Sequence, residues 1–264
     1  MESKRIKLSK KYHSIQEKYS FLPSSPIGIF KNSKSSFYLK RTFQKIKNLG
    51  ISDSLIREEI NYYQLNHHKL EDLQISSHMI PFLELLKQIK NVEGDILELG
   101  TYKGGSTIIM AHLLKKLKSN KTIFACDSFS GIPYEDKFSK KMYENCVGEF
   151  GDTNYNYVLE KIKNFGFSKQ ISVINGLFED TLYQKLSDKK FSFVLFDCDI
   201  YDSTKFGLEF VFPRLANNGI MFFQDYSLDE DNVVWGMKQA VDDFFINKNL
   251  VIQKTPIPHF KKLQ

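Results

Sequence analysis

The chain reads as an α/β protein: a parallel, doubly wound sheet preceded by an N-terminal helical cap. Three observations point there. From Gly94 onward, short apolar strand patterns alternate with helical ones, the mark of a parallel sheet covered on both faces. Phe191-Ser192-Phe193-Val194-Leu195-Phe196 is apolar almost throughout, as a central buried strand should be. Polar residues gather just past the strand patterns, where an open sheet of this kind collects its ligands.

Residues 1–35 read as irregular, with Leu22-Pro23-Ser24-Ser25-Pro26-Ile27-Gly28 a loop. Leu39, Phe43 and Ile46 form a first helical stripe that stops near Gly50. A second helix starts at about Ser54 with Leu55, Ile56, Ile60 and Tyr63. A third starts near Ser77 with Met79, Leu83, Leu86 and Ile89, leaving Pro81 in its first turn, where proline is tolerated. We divide the chain into a basic arm and cap at 1–76 and a main domain at 77–264. The cap is expected to cover the core or to pack on a second subunit of a homo-oligomer.

Strands are predicted at about 95–99, 121–126, 171–175, 191–197 and 219–224, with helices at about 104–118, 154–165, 180–187 and 203–215. One more helix, 235–247, precedes short strands near 250–253 and 259–263. That terminal antiparallel hairpin would bring the parallel core of five to seven strands.

A chain of 264 residues can bury one substantial core. The net charge of +6 is uneven: residues 1–48 hold twelve Lys and Arg against Glu2 and Glu17, so the remainder is net acidic. Such an arm suits weak contact with an anionic membrane surface, a nucleotide-linked sugar or nucleic acid, although a solvated arm is the plainer reading. Cys126, Cys146 and Cys198 show neither metal-ligand spacing nor an even disulfide pattern, which implies a reducing compartment. No apolar stretch follows the basic start, and no run approaches the roughly 18–20 residues of a membrane span, so a cytoplasmic protein is expected.

The segment Asp95-Ile96-Leu97-Glu98-Leu99-Gly100-Thr101-Tyr102-Lys103-Gly104-Gly105-Ser106 is the most informative. A strand ending in an acidic residue runs through a glycine turn into a helix, presenting bare N–H groups beside a carboxylate. The spacing Glu-x-Gly-x-x-x-Gly-Gly is not the G-x-G-x-x-G of a dinucleotide site. It suits a ligand carrying both amine and carboxylate, as the methionine end of S-adenosylmethionine does; it also suits a plain strand-turn-helix junction. Glu98 fixes either the ligand's amine or the turn itself. Asp127, at the end of the second strand, is placed to accept ribose hydroxyls, or to cap a turn. Gly176 could admit an adenine ring against Phe178, with Phe129 as a second wall.

Asp197, Asp199, Gln224 and Asp225 bring three carboxylates and an amide to neighbouring strand ends. Such a group repels itself, and a hard cation resolves the repulsion. Oxygen ligands without His or Cys favour Mg²⁺, or Mn²⁺, over Zn²⁺.

Three strings, Gly94 to Ser106, Asp127-Ser128-Phe129-Ser130-Gly131-Ile132-Pro133 and Asp197-Cys198-Asp199-Ile200-Tyr201-Asp202-Ser203-Thr204, resemble the macrocin/mycinamicin O-methyltransferase family. The resemblance runs from about Ser77 to Asp243. It implies a Rossmann-like class I methyltransferase sheet and metal-dependent, S-adenosylmethionine-dependent methylation of sugar hydroxyls. It places Glu98, Gly100, Gly104, Gly105, Ser106 and Asp127 at the cofactor, and Asp197, Asp199 and Asp225 at the metal; we add Tyr102, Ser128 and Phe129 to the cofactor-binding set. Two departures stand out. The family's Asp-Asp-Tyr reads Gln224-Asp225-Tyr226 here, which predicts weaker metal binding. No histidine lies between His112 and His259, so the base falls to Asp199 or to a carboxylate of the stretch holding Tyr143, Glu144 and Glu149, of which Glu149 is our choice. The acceptor is then a small molecule or glycan, such as a glycosylated metabolite or polysaccharide. A nucleic-acid methyltransferase using the basic arm and a non-catalytic cofactor-binding protein are the competing readings.

Overall fold

The computed structural model describes residues 53–71, 75–136, 138, 147–226, 236–254 and 257–263. The basic arm, the Leu39–Ile46 stripe, Tyr143, Glu144 and Cys146 lie outside the described residues. The chain divides into two compact units, the first ending at Glu84 and the second starting at Leu85.

In the first unit, helix α1 (Ser54–Leu70) starts where Asp53 accepts hydrogen bonds from the Leu55 and Ile56 amides, and it stops at left-handed Glu71. Its buried stripe of Ile56, Ile60, Tyr63 and Leu70 has the helical period. Helix α2 (Ile75–Gln88) crosses the boundary between the units. It begins two residues before the expected start, so Pro81 sits beyond the first turn, where it costs a helix N–H.

The second unit is a six-stranded sheet: β1 (Asp95–Leu99), β2 (Ile123–Asp127), β3 (Ile171–Asn175), β4 (Phe191–Phe196), β5 (Leu215–Phe223) and β6 (His259–Lys261). The order is β3-β2-β1-β4-β5-β6, parallel throughout except for β6, which runs antiparallel to β5. Between strands run α3 (Gly105–Lys116), α4 (Tyr155–Asn164), α5 (Phe178–Leu186), α6 (Tyr201–Val211) and, after β5, α7 (Gly236–Asn247). Leu97 and Leu99 share one core with Leu182 of α5, Leu208 of α6 and Val241 of α7. Glu98, pointing the opposite way by strand alternation, meets α3 instead. The sheet is therefore covered on both faces. Among the described residues no helix is long and apolar enough to cross a membrane.

The expected seventh strand is a correction. Residues 250–253 add only an isolated bridge, Gln253 to His259, and the sheet ends at β6. Pro258, beside the bridge, has no amide hydrogen to extend a ladder.

Candidate active site

The rim formed by the carboxyl ends of β1, β2, β4 and β5 carries two unlike neighbourhoods. The first is the glycine turn after β1. Gly100 has φ +94°, and a Cβ there would stand 1.8 Å from the Asp197 carbonyl oxygen, so only glycine fits. Gly104 (φ +76°) precedes α3, whose first turn buries Gly105 and Ser106. Buried Glu98 accepts hydrogen bonds from the Ser106 and Thr107 hydroxyls, one on each oxygen. Of the two roles open to it, Glu98 shows that of holding the turn. Thr107 escaped the sequence reading; two adjacent hydroxyls in the first turn of the following helix were the available signal.

Asp127 is equally occupied. One carboxylate oxygen accepts from the Thr101 (2.9 Å) and Tyr102 (2.7 Å) amides, the other from Phe129 N (2.7 Å). Burial raises its pKa, and these N–H groups work against that rise. The turn-capping role is thus the one on display, and a carboxylate with about four lone-pair sites keeps capacity for a ligand hydroxyl. The Ser128 hydroxyl closes the next turn by donating to Gly131 O at 2.9 Å.

The two rings expected as adenine walls are both buried. Phe178 is buried in the core with Ile174 and Leu182, because α5 turns Phe178, Thr181, Leu182 and Leu186 inward. Phe129 is buried and packs on the Tyr155 ring, with centroids 5.8 Å apart. Gly176 (φ +136°) packs closely instead on its own fold: its amide donates to Asp127 O at 3.0 Å, and a Cβ would sit 2.8 Å from Thr181.

The second neighbourhood lies beside the first, since Gly100 packs directly on the Asp197 backbone. Asp197 and Asp199 follow β4, and Gln224 and Asp225, both buried, follow β5. Asp197 and Asp225 stand within hydrogen-bonding reach of each other. Loss of water, then the charges of Asp225 and Asp199, push the Asp197 pKa well above the usual carboxylate range. Asp199 rises likewise through burial, then Asp225 and Glu149. Burial takes Asp225 up to about 6. Among the described residues, Asp199 Oδ1, Asp225 Oδ2 and Glu149 Oε2 are buried with no hydrogen-bond partner.

A ready-made metal centre was expected from Asp197, Asp199, Gln224 and Asp225. Among the described residues no group of three or more His, Cys, Asp and Glu side chains is arranged to hold a metal ion. Asp197 and Asp225 instead lie within hydrogen-bonding reach of each other.

Residues 147–154 bring Glu149 to this group. Gly148 N donates to Ile132 O and Ile132 N to Glu149 O, each at 2.9 Å. Asp152 then clasps the glycine turn, accepting from Tyr102 Oη at 2.5 Å and Lys103 Nζ at 2.8 Å. The clasp was invisible in the sequence, because its partners stand about fifty residues apart. Tyr102, Phe129 and Asp199, just past β1, β2 and β4, all have left-handed backbones (φ 49°, 50° and 55°), strain typical of functional turns.

A glycine turn opening a helix, an acidic residue ending the next strand and the 3-2-1-4-5-6 order closed by an antiparallel strand make a Rossmann-like sheet of the class I methyltransferase kind. Residues 77–259 match the Macrocin-O-methyltransferase (TylF) family, and the chain belongs to it. It is accordingly an S-adenosylmethionine-dependent O-methyltransferase. Among characterised relatives, demethyldecarbamoylnovobiocin O-methyltransferase of Streptomyces niveus is 25% identical over 81% of this chain and 87% of that enzyme. Mycinamicin III 3''-O-methyltransferase of Micromonospora griseorubida is 27% identical over 52% of this chain and 57% of that enzyme. The fold is shared with the O-methyltransferase NovP (TM-score 0.61, 23% identity, 70% of this chain, 81% of that one). It is shared too with the calicheamicin methyltransferase CalS11 (TM-score 0.62, 19% identity, 91% and 97%).

Proposed function

We propose that this enzyme methylates a hydroxyl of a sugar, carried on a glycosylated metabolite or a polysaccharide, with help from Mg²⁺ or Mn²⁺. The observation that carries the reading is the group of buried, unpaired carboxylate oxygens lying beside the glycine turn. The relatives named for modifying mycinamicin and novobiocin intermediates point to an acceptor of that kind.

Gly100, Tyr102, Gly104, Gly105, Ser106 and Asp127 would hold the donor, with Glu98 keeping the turn in shape. When bound, the donor would supply an activated methyl group to the acceptor oxygen, the carbon–sulfur bond breaking to leave S-adenosylhomocysteine. The protein's work is to align the two reactants and exclude water. Asp199 or Glu149 takes the hydroxyl proton, since both have a buried oxygen without a hydrogen-bond partner.

The donor set suits a hard cation in its chemistry, being all oxygen with carboxylates that repel one another, and the ion itself would draw the side chains around it. Asp197, Asp199, Gln224 and Asp225 would hold the ion. Once bound, a cation supplies Lewis acidity that lowers the pKa of the acceptor hydroxyl. Gln224 contributes no charge, so binding is weaker than with three carboxylates and an aspartate in its place. The free thiols of Cys126 and Cys198 suit a reducing, cytoplasmic setting.

The test is methyl transfer from isotopically labelled S-adenosylmethionine to a panel of nucleotide sugars, glycosides and polysaccharide fragments, with Mg²⁺ or with chelator. The reading expects label in a sugar O-methyl group and a rate that drops at least tenfold with chelator. Transfer only to RNA, or transfer to sugar indifferent to chelation, contradicts the corresponding half.

A further inference from the structure

Two acidic turns are tied to one helix. Tyr201, two residues past Asp199, donates its hydroxyl to Asp243 Oδ2 at 2.9 Å. Tyr226, next to Asp225, donates to Asp242 Oδ1 at 2.5 Å. The two receiving aspartates are adjacent on α7 and are braced there by residues four positions earlier. Lys238 pairs with Asp242, and Gln239 Nε2 donates to Asp243 at 2.8 Å.

A third tether is made of backbone. Met237 N, in the first turn of α7, donates to Asp199 O at 2.9 Å. Asp199 holds φ 55°, a conformation that a non-glycine residue keeps only when its surroundings impose it. The approach requires glycine at 236, where a Cβ would stand 2.7 Å from Tyr201 N and 3.2 Å from Asp199 O. The turn after β4 and the turn after β5 thus share one anchor, although neither tyrosine hydroxyl belongs to the acidic group itself.

We propose that Asp242 and Asp243 are positioning residues for the cation site: through Tyr226 and Tyr201 they hold Asp225 and Asp199 in register with each other. The inference rests on the metal-assisted reading above. Ligands for a small octahedral ion must be placed closely, and carboxylates that repel one another will not stay together unaided. Rigid side chains behind the ligating turns provide that restraint.

The experiment compares the full-length wild-type chain with Asp242→Ala/Asp243→Ala and, separately, with Tyr201→Phe/Tyr226→Phe. The phenylalanine pair removes only the two hydroxyls and guards against misfolding of the first variant. Mn²⁺ binding is read from the paramagnetic resonance of the free ion, and S-adenosylmethionine binding by calorimetry. The positioning role predicts that both variants weaken Mn²⁺ at least fivefold while donor affinity stays within twofold of wild type. Mn²⁺ affinity within twofold of wild type in both variants overturns it, whatever happens to thermal stability. A wild-type chain that binds no Mn²⁺ overturns the metal-assisted reading and this inference together; binding that is equal in all three overturns this inference alone.

Discussion

The two halves of the rim treat their carboxylates in opposite ways. On the β1–β2 side Glu98 has a hydroxyl on each oxygen, and Asp127 accepts three backbone amides. On the β4–β5 side Asp199 and Asp225 each keep a buried oxygen with no partner, and Glu149 brings another. The first pair has its charge answered by the fold itself. The second pays an electrostatic penalty that the fold alone does not relieve, and a penalty that persists at a strand-end rim marks a place reserved for a ligand.

The contrast can be broken by substitution, and the largest effect belongs to the point where the halves meet. Gly100→Ala drives a methyl into the Asp197 carbonyl and forces a left-handed alanine. We expect a loss on the order of 3 kcal/mol or more, seen as a lowered urea midpoint, together with loss of donor binding.

Carboxylate-to-amide swaps should separate the halves by kind of damage. Asp199→Asn is expected to lower kcat by roughly 10²–10⁴, as for a lost general base, with stability unchanged or slightly raised because a buried charge is relieved. Glu98→Gln should do the reverse: stability falls by about 1–3 kcal/mol as two hydroxyls lose a charged acceptor. Denaturation curves beside steady-state rates check both, and equal stability losses at the two sites would erase the distinction.

Gln224→Asp sharpens it further. A fourth carboxylate is expected to tighten Mg²⁺ about tenfold while lowering the stability of the metal-free protein, measured by calorimetry and by melting in chelator.

The smallest effect concerns the clasp that joins the halves. Lys103, then Tyr102, holds the Asp152 carboxyl below its usual pKa. Its stabilising contribution is therefore present above the unfolded value near 3.9 and is lost as pH falls through the lower folded value. Asp152 is largely exposed, so Asp152→Asn should cost under about 0.5 kcal/mol at pH 7 and nothing at pH 2, by chemical denaturation at both pH values.

Much of this was legible in the residues, and the exceptions have physical causes. Periods of hydrophobicity carried the five parallel strands, and strand ends carried the two acidic pairs to one rim. The role of Glu98 was open, because its choice between ligand and turn depended on hydroxyls at 106 and 107 whose direction only the folded helix sets. Phe178 was read as an adenine wall from its position after Gly176, and its spacing with Leu182 and Leu186 adds that it lies on a buried helical face. The Asp152 clasp and the Tyr201 and Tyr226 tethers join segments sixteen to fifty residues apart, and no local pattern announces such pairs.

Calorimetric titration of Mg²⁺ into the wild-type chain and into Asp225→Asn, both saturated with S-adenosylhomocysteine, goes to the centre of the account. One ion bound per wild-type chain, with binding lost in the variant and S-adenosylhomocysteine affinity unchanged, is the predicted result. No binding by the wild-type chain, or the same binding in both, would show that the unpaired carboxylates serve some purpose other than gripping a cation.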